Sequence, residues 1–273
     1  MSVAAQTIAS DAGWRVLDVI CTHGPQDRPF EERRSEVSIA VVTDGTFQYR
    51  TGQGSAMLVP GALLLGNAGT CFECGHEHAT GDRCLAFHFA QEHFECVAAD
   101  VPGAQTIVFT RPSLPALPQL VPLVAAAEAA RDDGDRDEFE ELAVRLIDAV
   151  VSLLAPARGS ARRPSALDER RITAAVRHIE HAADEKLSLS TLARKAGLSR
   201  YHFLRSFRQA TGLTPHQYLL RTRLNRAAVR LRTSREPVST IAFDAGFNDL
   251  STFNRRFLRL MGATPGAYRA RSA

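Results

Sequence analysis

Residues 189–215 have the sequence Leu-Ser-Thr-Leu-Ala-Arg-Lys-Ala-Gly-Leu-Ser-Arg-Tyr-His-Phe-Leu-Arg-Ser-Phe-Arg-Gln-Ala-Thr-Gly-Leu-Thr-Pro, and residues 238–265 repeat the pattern as Val-Ser-Thr-Ile-Ala-Phe-Asp-Ala-Gly-Phe-Asn-Asp-Leu-Ser-Thr-Phe-Asn-Arg-Arg-Phe-Leu-Arg-Leu-Met-Gly-Ala-Thr-Pro. In both copies an alanine and a glycine precede two phenylalanines at helical spacing, and a Thr-Pro pair follows. The second copy has one extra residue just after its first glycine. This repeat predicts two helix-turn-helix units, at about residues 189–210 and 238–260.

The turn of each unit is predicted from a glycine, Gly197 in the first copy and Gly246 in the second. Glycine adopts positive φ without a steric penalty, as a tight turn between two helices requires. Hydroxyl side chains precede or begin the first helix of each unit and are expected to cap it: Ser188 or Ser190 in the first copy and Ser239 in the second.

The second helix of each unit is expected to begin after a cap at Ser199 or Asn248 and to bury its phenylalanine pair. Its other face then carries groups that can reach DNA bases and phosphates. That face holds Arg200, Tyr201, Leu204, Arg205 and Arg208 in the first copy, and Asp249, Ser251, Asn254, Arg255 and Arg259 in the second. A helical hairpin used only for packing is the alternative for a single copy.

A long helix is predicted between the two copies. It begins at the cap-and-proline pair Thr214-Pro215 and runs to about Thr233. Roughly 18 residues rising 1.5 Å each span about 27 Å, which can hold two recognition helices near one turn of DNA apart, about 34 Å. One chain would then contact two successive segments of the major groove.

The charge of the chain is divided unevenly. The net charge of +3 combines +14 in residues 161–273 with −11 in residues 1–160, and 20 of the 22 basic residues in the C-terminal part are arginine. Arginine makes forked contacts with phosphate and guanine. The asymmetry favours an anionic partner such as DNA or RNA, and a solvated basic face is the alternative.

Residues 168–271 resemble the DNA-binding domain of the AraC/XylS family of transcription regulators. The resemblance is most specific from Gly246-Phe-Asn-Asp-Leu-Ser-Thr-Phe-Asn-Arg-Arg-Phe257 through Gly262-Ala-Thr-Pro-Gly-Ala-Tyr-Arg269. It implies two helix-turn-helix units on one long helix, and sequence-specific binding of double-stranded promoter DNA. RNA polymerase is a candidate protein partner.

Base contacts are transferred from the family by position. They would be Arg200, Tyr201, Leu204 and Arg205 in the first unit, and Ser251, Asn254 and Arg255 in the second. Leu204 departs from the polar residue often found at its position, and we expect it to contact a thymine methyl group instead. Asp249 is acidic on a surface meant for DNA, so the second unit is expected to bind more weakly.

The N-terminal half has short β-branched runs and glycine-rich turns up to about Thr110, which predict a β-barrel or sandwich. Gly54-Ser-Ala-Met-Leu-Val-Pro60 resembles a turn of the cupin-like barrels that serve many such regulators as effector domains. The predicted fold is therefore α+β and multidomain. We divide it into a cupin-like sensor domain (1–118), a helical hairpin (119–155), a linker (156–166) and an all-α DNA-binding domain (167–271).

The second helix of the hairpin has an apolar stripe that is longer than one small barrel needs for cover. Its members recur at helical spacing: Phe139, Leu142, Leu146, Val150 and Leu153. We expect this stripe to pack on the barrel and also to form a homodimer seam.

Residues 71–88 contain three cysteines and three histidines. Thiolate and imidazole ligands suit zinc or copper, which makes Cys74, His76, His78 and Cys84 candidate metal ligands. Two alternatives stay open, a redox-sensing thiol pair and buried thiols beside surface histidines. All five cysteines lie in the N-terminal half, and their odd number argues against a disulfide framework.

A cupin-type metalloprotein or enzyme with a DNA-binding tail is the alternative function. His76-x-His78 is present, but the following carboxylate, Asp82, lies in a turn and the order relative to Pro60 is unusual, so we expect no enzyme. A purely architectural DNA-binding protein fits poorly with an acidic, strand-rich N-terminal half. Residues 1–11 do not resemble a secretory signal, and no 18-residue uncharged apolar run is present. A cytoplasmic regulator is expected.

Overall fold

The computed structural model describes residues 3–76, 80–104, 108–155 and 165–271. The chain forms two compact units, residues 1–161 and 162–273, here called unit 1 and unit 2. The linker predicted at 156–166 lies mostly outside the described residues. No described helix has both the length and the apolar character needed to cross a lipid bilayer.

Unit 1 contains ten described strands, all paired antiparallel. They are β1 (Val3–Asp11), β2 (Trp14–Cys21), β3 (Phe30–Arg33), β4 (Val37–Gly45), β5 (Phe47–Thr51), β6 (Gly54–Leu58), β7 (Leu63–Gly66), β8 (Cys71–Gly75), β9 (Asp82–Phe89) and β10 (Ser113–Leu114). One sheet has the order β1-β2-β9-β4-β7-β10, and the other has the order β3-β8-β5-β6.

The described strands thus form two open sheets, which confirms the predicted strand-rich domain and, of the barrel and sandwich alternatives, does not give a closed barrel. A core cluster joins the two sheets, with Val42 and Leu64 from the larger sheet packed with Phe47, Tyr49 and Leu58 from the smaller one. Strands β4 and β9 are buried on both faces, because their other face is covered by a helix: Phe87 of β9 contacts Phe139 at 6.0 Å between ring centres. Two buried faces explain why these strands appear in the sequence as continuous apolar runs.

The helices of unit 1 include the predicted hairpin. It consists of α2 (Val121–Asp133) and α3 (Arg136–Leu154), separated by Gly134, which has a φ of 66°, and by Asp135, which caps α3. An additional helix, α1 (Gln91–Ala99), follows β9 in a region where only strands were predicted. Strands were predicted up to about Thr110, but residues 105–107 lie outside the described residues, and Val108 and Phe109 are not in a strand.

The apolar stripe of α3 is not available as a dimer seam. Phe139, Leu142, Leu146 and Val150 are each at most 1% exposed within the single chain. The helix packs against α1, α2 and β1 of the same unit, which already covers the stripe. The predicted seam at these residues is therefore wrong, and any homodimer needs another surface.

The regular secondary structure that is described in unit 2 is all helical. Its helices are α4 (Ala166–His181), α5 (Leu189–Ala196), α6 (Arg200–Thr211), α7 (Pro215–Thr233), α8 (Val238–Asp244), α9 (Leu250–Met261) and α10 (Pro265–Ala270). Ser165 begins the unit with a capping box, in which Asp168 donates its backbone N–H to the Ser165 hydroxyl and accepts from the Ser165 backbone in return. This local signal fixes where the helical unit starts.

Candidate nucleic-acid interface and ligand cavity

The first helix-turn-helix unit is formed by α5 and α6, as predicted. The Ser188 hydroxyl accepts the Thr191 N–H at 3.2 Å and caps α5. Gly197 ends that helix with a φ of 63°, and the Ser199 hydroxyl caps α6 by accepting the His202 N–H at 3.2 Å. A capped helix, a left-handed glycine and a second capped helix follow one another within some twenty residues, so the recognition helix α6 is held by local interactions.

The second unit, α8 and α9, has the predicted turn but different caps. Gly246 has a φ of 87°. Helix α8 begins after Pro237 without a side-chain cap, and Ser239 lies inside the helix. Asp249, not Asn248, caps α9, with its Oδ1 accepting the Thr252 N–H at 2.7 Å. That backbone hydrogen bond lowers the pKa of Asp249, so its negative charge is used to begin the recognition helix.

Helix α7 joins the two units over 19 residues, which corresponds to about 28 Å. It begins at the predicted Thr214 cap and Pro215, and it ends at Thr233. The face formed by Leu224, Ala227, Ala228 and Leu231 is buried against α8 and α9. The second helix-turn-helix unit is thereby fixed on the linking helix by a continuous apolar core.

The predicted base contacts on α6 differ in accessibility. Arg208 is exposed and Arg200 and Arg205 are half-buried, with Arg205 donating to the Tyr201 hydroxyl at 3.2 Å. The structure departs from the prediction at Tyr201 and Leu204, which are only 3% and 5% exposed. Neither side chain is presented to a base in this conformation, because α6 buries these two residues as well as its phenylalanine pair.

The predicted base contacts on α9 are all accessible. Ser251, Asn254 and Arg255 are exposed on one side of the helix, while Phe253 and Phe257 are fully buried on the other. An amide, a hydroxyl and a guanidinium on one exposed helical face can donate hydrogen bonds to base edges and phosphates.

Unit 1 contains a cavity of about 300 Å³ lined by residues of both sheets. Most of its wall is apolar and includes Leu17, Val19, Ala40, Phe47, Leu64 and Phe72. Its polar groups include a cysteine, histidine and aspartate cluster and, separately, Arg15, Arg34 and His88. An apolar wall with a few polar groups is typical of a ligand site.

The structure only partly assembles the predicted metal ligands. His76 Nε2 lies 2.8 Å from Asp82 Oδ1, and the Cys84 thiol donates to Asp82 Oδ2 at 3.4 Å. Cys21, which the sequence did not single out, lies with His76 and Asp82 in a group whose ligand atoms are within 4.8 Å of one another. Of the other two predicted ligands, Cys74 packs against the core cluster between the sheets and is not part of this group, and His78 lies outside the described residues.

Partial or full burial favours the protonated form of three thiols that line the cavity, those of Cys21, Cys74 and Cys84. Burial raises the pKa of Cys74 to about 12, and it raises the pKa values of Cys84 and Cys21 as well. Redox sensing requires an accessible thiolate. These three thiols therefore do not offer the low-pKa thiolate that such sensing uses.

His88 occupies an electropositive part of the cavity wall. Burial, together with the charges of Arg15 and Arg34, lowers its pKa to about 4. Its Nδ1 lies 3.8 Å from Glu36 Oε2, but that carboxylate is paired with Arg15 at 2.7 Å. His88 is therefore neutral near pH 7.

Comparison with known proteins places the similarity in the C-terminal third. A family model described as a helix-turn-helix domain matches residues 192–271. The chain is 39% identical over 93 residues to the regulatory protein SoxS of Escherichia coli K12, which covers 34% of this chain and 87% of SoxS. It is 38% identical over 91 residues to the Tn10 protein TetD of Escherichia coli, covering 33% of this chain and 66% of TetD.

A solved structure is also similar. It is a transcriptional regulator of Chromobacterium violaceum, described as having an AraC-type DNA-binding domain, at 31% identity and a TM-score of 0.37. The match covers 40% of this chain and 97% of that structure.

Proposed function

The chain belongs to the AraC/XylS family of DNA-binding transcription regulators, and from that premise we propose how its parts act. The two helix-turn-helix units contact successive major-groove segments of a promoter, and unit 1 binds an effector that controls this binding. The DNA-binding part of this proposal rests on one observation: the two recognition helices, α6 and α9, are joined by a single 19-residue helix, α7.

Base contacts are assigned most directly to accessible side chains. On α9 these are Ser251, Asn254 and Arg255, and on α6 they are Arg200, Arg205 and Arg208. Tyr201 and Leu204 contribute only in a conformation that exposes them. The net charge of +14 over residues 161–273 supports phosphate binding by the surrounding arginines.

Unit 1 is proposed as the effector module, of the cupin-like type. Two facing antiparallel sheets with an apolar cavity of about 300 Å³ support this assignment. A cavity of that size suits a small ligand rather than a macromolecule. We propose unit 1 as a sensor rather than a catalyst, because a mostly apolar cavity wall suits binding of a ligand.

A homodimer is proposed as the state that binds promoters, because two chains would occupy repeated half-sites. Its interface does not include the buried stripe of α3. Light scattering of the full chain tests this state, and a monomeric mass at the concentration that saturates DNA would contradict it.

The DNA-binding proposal is tested by selecting ligands from random duplex DNA with the full-length protein. We expect an enriched motif whose affinity falls steeply with salt, because counterions are released from the phosphates. The doubly substituted protein Asn254→Ala, Arg255→Ala should lose the part of the motif that faces α9 and keep the rest. Failure to enrich any sequence over the input library would refute sequence-specific binding.

A further inference from the structure

Three adjacent strand ends bring the cysteine, histidine and aspartate cluster together. Cys21 ends β2 and lies directly opposite Asp82, which begins β9. His76 follows the end of β8, which belongs to the other sheet. The cluster therefore spans the two sheets at one end of the cavity, and all of its members line that cavity.

We propose that this cluster is a transition-metal site, with Cys21, His76, Asp82 and Cys84 as ligands and zinc as the fitting ion. The ligand atoms of the first three lie within 4.8 Å of one another. Tetrahedral zinc, with bonds of about 2.0 to 2.3 Å, needs its ligand atoms somewhat closer, at roughly 3.3 to 3.8 Å. The Cys84 sulfur lies 3.4 Å from Asp82 Oδ2, which places a fourth donor beside the group.

The choice of ion follows from the donor set. Two sulfur donors, one imidazole and one carboxylate favour zinc or copper over magnesium or calcium, which prefer oxygen donors alone. The site is shielded from solvent, since the side chains of His76 and Asp82 are only 2% and 8% exposed. Binding replaces the hydrogen bonds within the cluster with metal bonds and releases the two thiol protons to the solvent.

This ligand set revises the one predicted from the sequence. Cys21 and Asp82 are included, because the pairing of β2 with β9 brings them together. A bound ion would connect the two sheets of unit 1, so it should stabilise that unit. The inference is independent of the DNA-binding proposal, because metal uptake is measured without DNA.

The test is metal analysis of the full-length protein purified without chelator, followed by zinc titration of the metal-free protein. We expect one zinc per chain and a higher melting temperature of the transition reported by Trp14, the single tryptophan and a residue of β2. With cobalt in place of zinc, the natural protein should show the absorption band of thiolate-to-cobalt charge transfer. This measurement needs no variant, so it does not depend on whether a variant folds.

Matched variants assign the ligands. Cys21→Ser and Asp82→Asn should each weaken zinc binding at least about tenfold, whereas Cys96→Ser, which alters an exposed cysteine on α1 outside the cluster, should leave it unchanged. Less than about a tenth of a zinc per chain after titration, with no thiolate-to-cobalt absorption, would overturn the proposal. Equal loss of zinc in Cys96→Ser and Cys21→Ser would overturn it as well.

Discussion

Single residues of the recognition helices are expected to differ in what they contribute to DNA binding. Arg205 is half-buried on α6 and is oriented by the Tyr201 hydroxyl. We expect Arg205→Ala to weaken the free energy of DNA binding by about 1–3 kcal/mol and to relax the base preference at one base pair. The reason is that a guanidinium can make two hydrogen bonds to a guanine. Competition binding with single-base variants of the selected site measures this loss.

Arg232→Ala is the matched control for that experiment. Arg232 is exposed near the end of α7 and is not on a recognition helix. Its loss should weaken binding to all sequences alike or have no effect. A uniform loss from Arg205→Ala would show that Arg205 contacts phosphate rather than a base.

The lowered pKa of His88 predicts that the stability of unit 1 depends on pH. That pKa is lowered from 6.5 to about 4, so the unfolded chain takes up a proton at a higher pH than the folded protein does. The contribution of His88 to the free energy of unfolding is therefore fully present above pH 6.5, and it is lost as the pH falls from 6.5 towards 4. We expect the free energy of unfolding to be lower by about 2 kcal/mol at pH 5 for this reason.

Urea unfolding followed by Trp14 fluorescence at pH 7.5 and pH 5 measures this effect. His88→Gln should lose less stability than the natural protein over the same interval, since glutamine has no proton to gain. An identical loss in both proteins would mean that other groups cause the pH dependence.

At the scale of elements, the two turn glycines occupy equivalent positions with different surroundings. A Cβ at Gly197 would meet only Arg171, at 3.8 Å, whereas a Cβ at Gly246 would lie 2.8 Å from the Asp184 carbonyl oxygen and 3.0 Å from the Arg223 guanidinium. Arg223 in turn donates to the Ala183 and Glu185 carbonyls.

We therefore expect Gly197→Ala to lower the free energy of unfolding by about 1–2 kcal/mol, because alanine is strained in the left-handed conformation. Gly246→Ala should lower it further, because the added Cβ also meets its neighbours. Urea unfolding of the full chain, followed by circular dichroism of the helices, compares the two variants. Equal costs would show that the backbone near Gly246 relaxes to accept the added methyl group.

Elements with local signals were predictable from the sequence. Helix α7 begins and ends where Thr214, Pro215 and Thr233 predict, because caps and apolar spacing act within a few residues. Features that depend on strand pairing were not predictable in this way. Cys21, for example, joins the cluster only through its register with Asp82. Packing between helices was also not predictable, because helical spacing alone did not indicate that Tyr201 and Leu204 are buried together with the phenylalanine pair.

At the scale of the whole molecule, the division of charge agrees with the division into two units. The acidic residues concentrate in the part that contains the cavity, and the arginines concentrate in the part that contains both recognition helices. Such a division limits non-specific attraction of unit 1 to DNA while unit 2 is drawn to phosphate. The sequence alone could predict this arrangement, since charge is counted directly.

The central claim is that one chain contacts two successive major-groove segments through α6 and α9. Hydroxyl-radical footprinting of the full-length protein on its selected site tests this directly. We expect two protected segments on one face of the duplex, about 34 Å apart for each bound chain, with Asn254→Ala, Arg255→Ala removing only the segment that faces α9. A single protected segment per chain, or two segments that the double substitution weakens equally, would contradict the account.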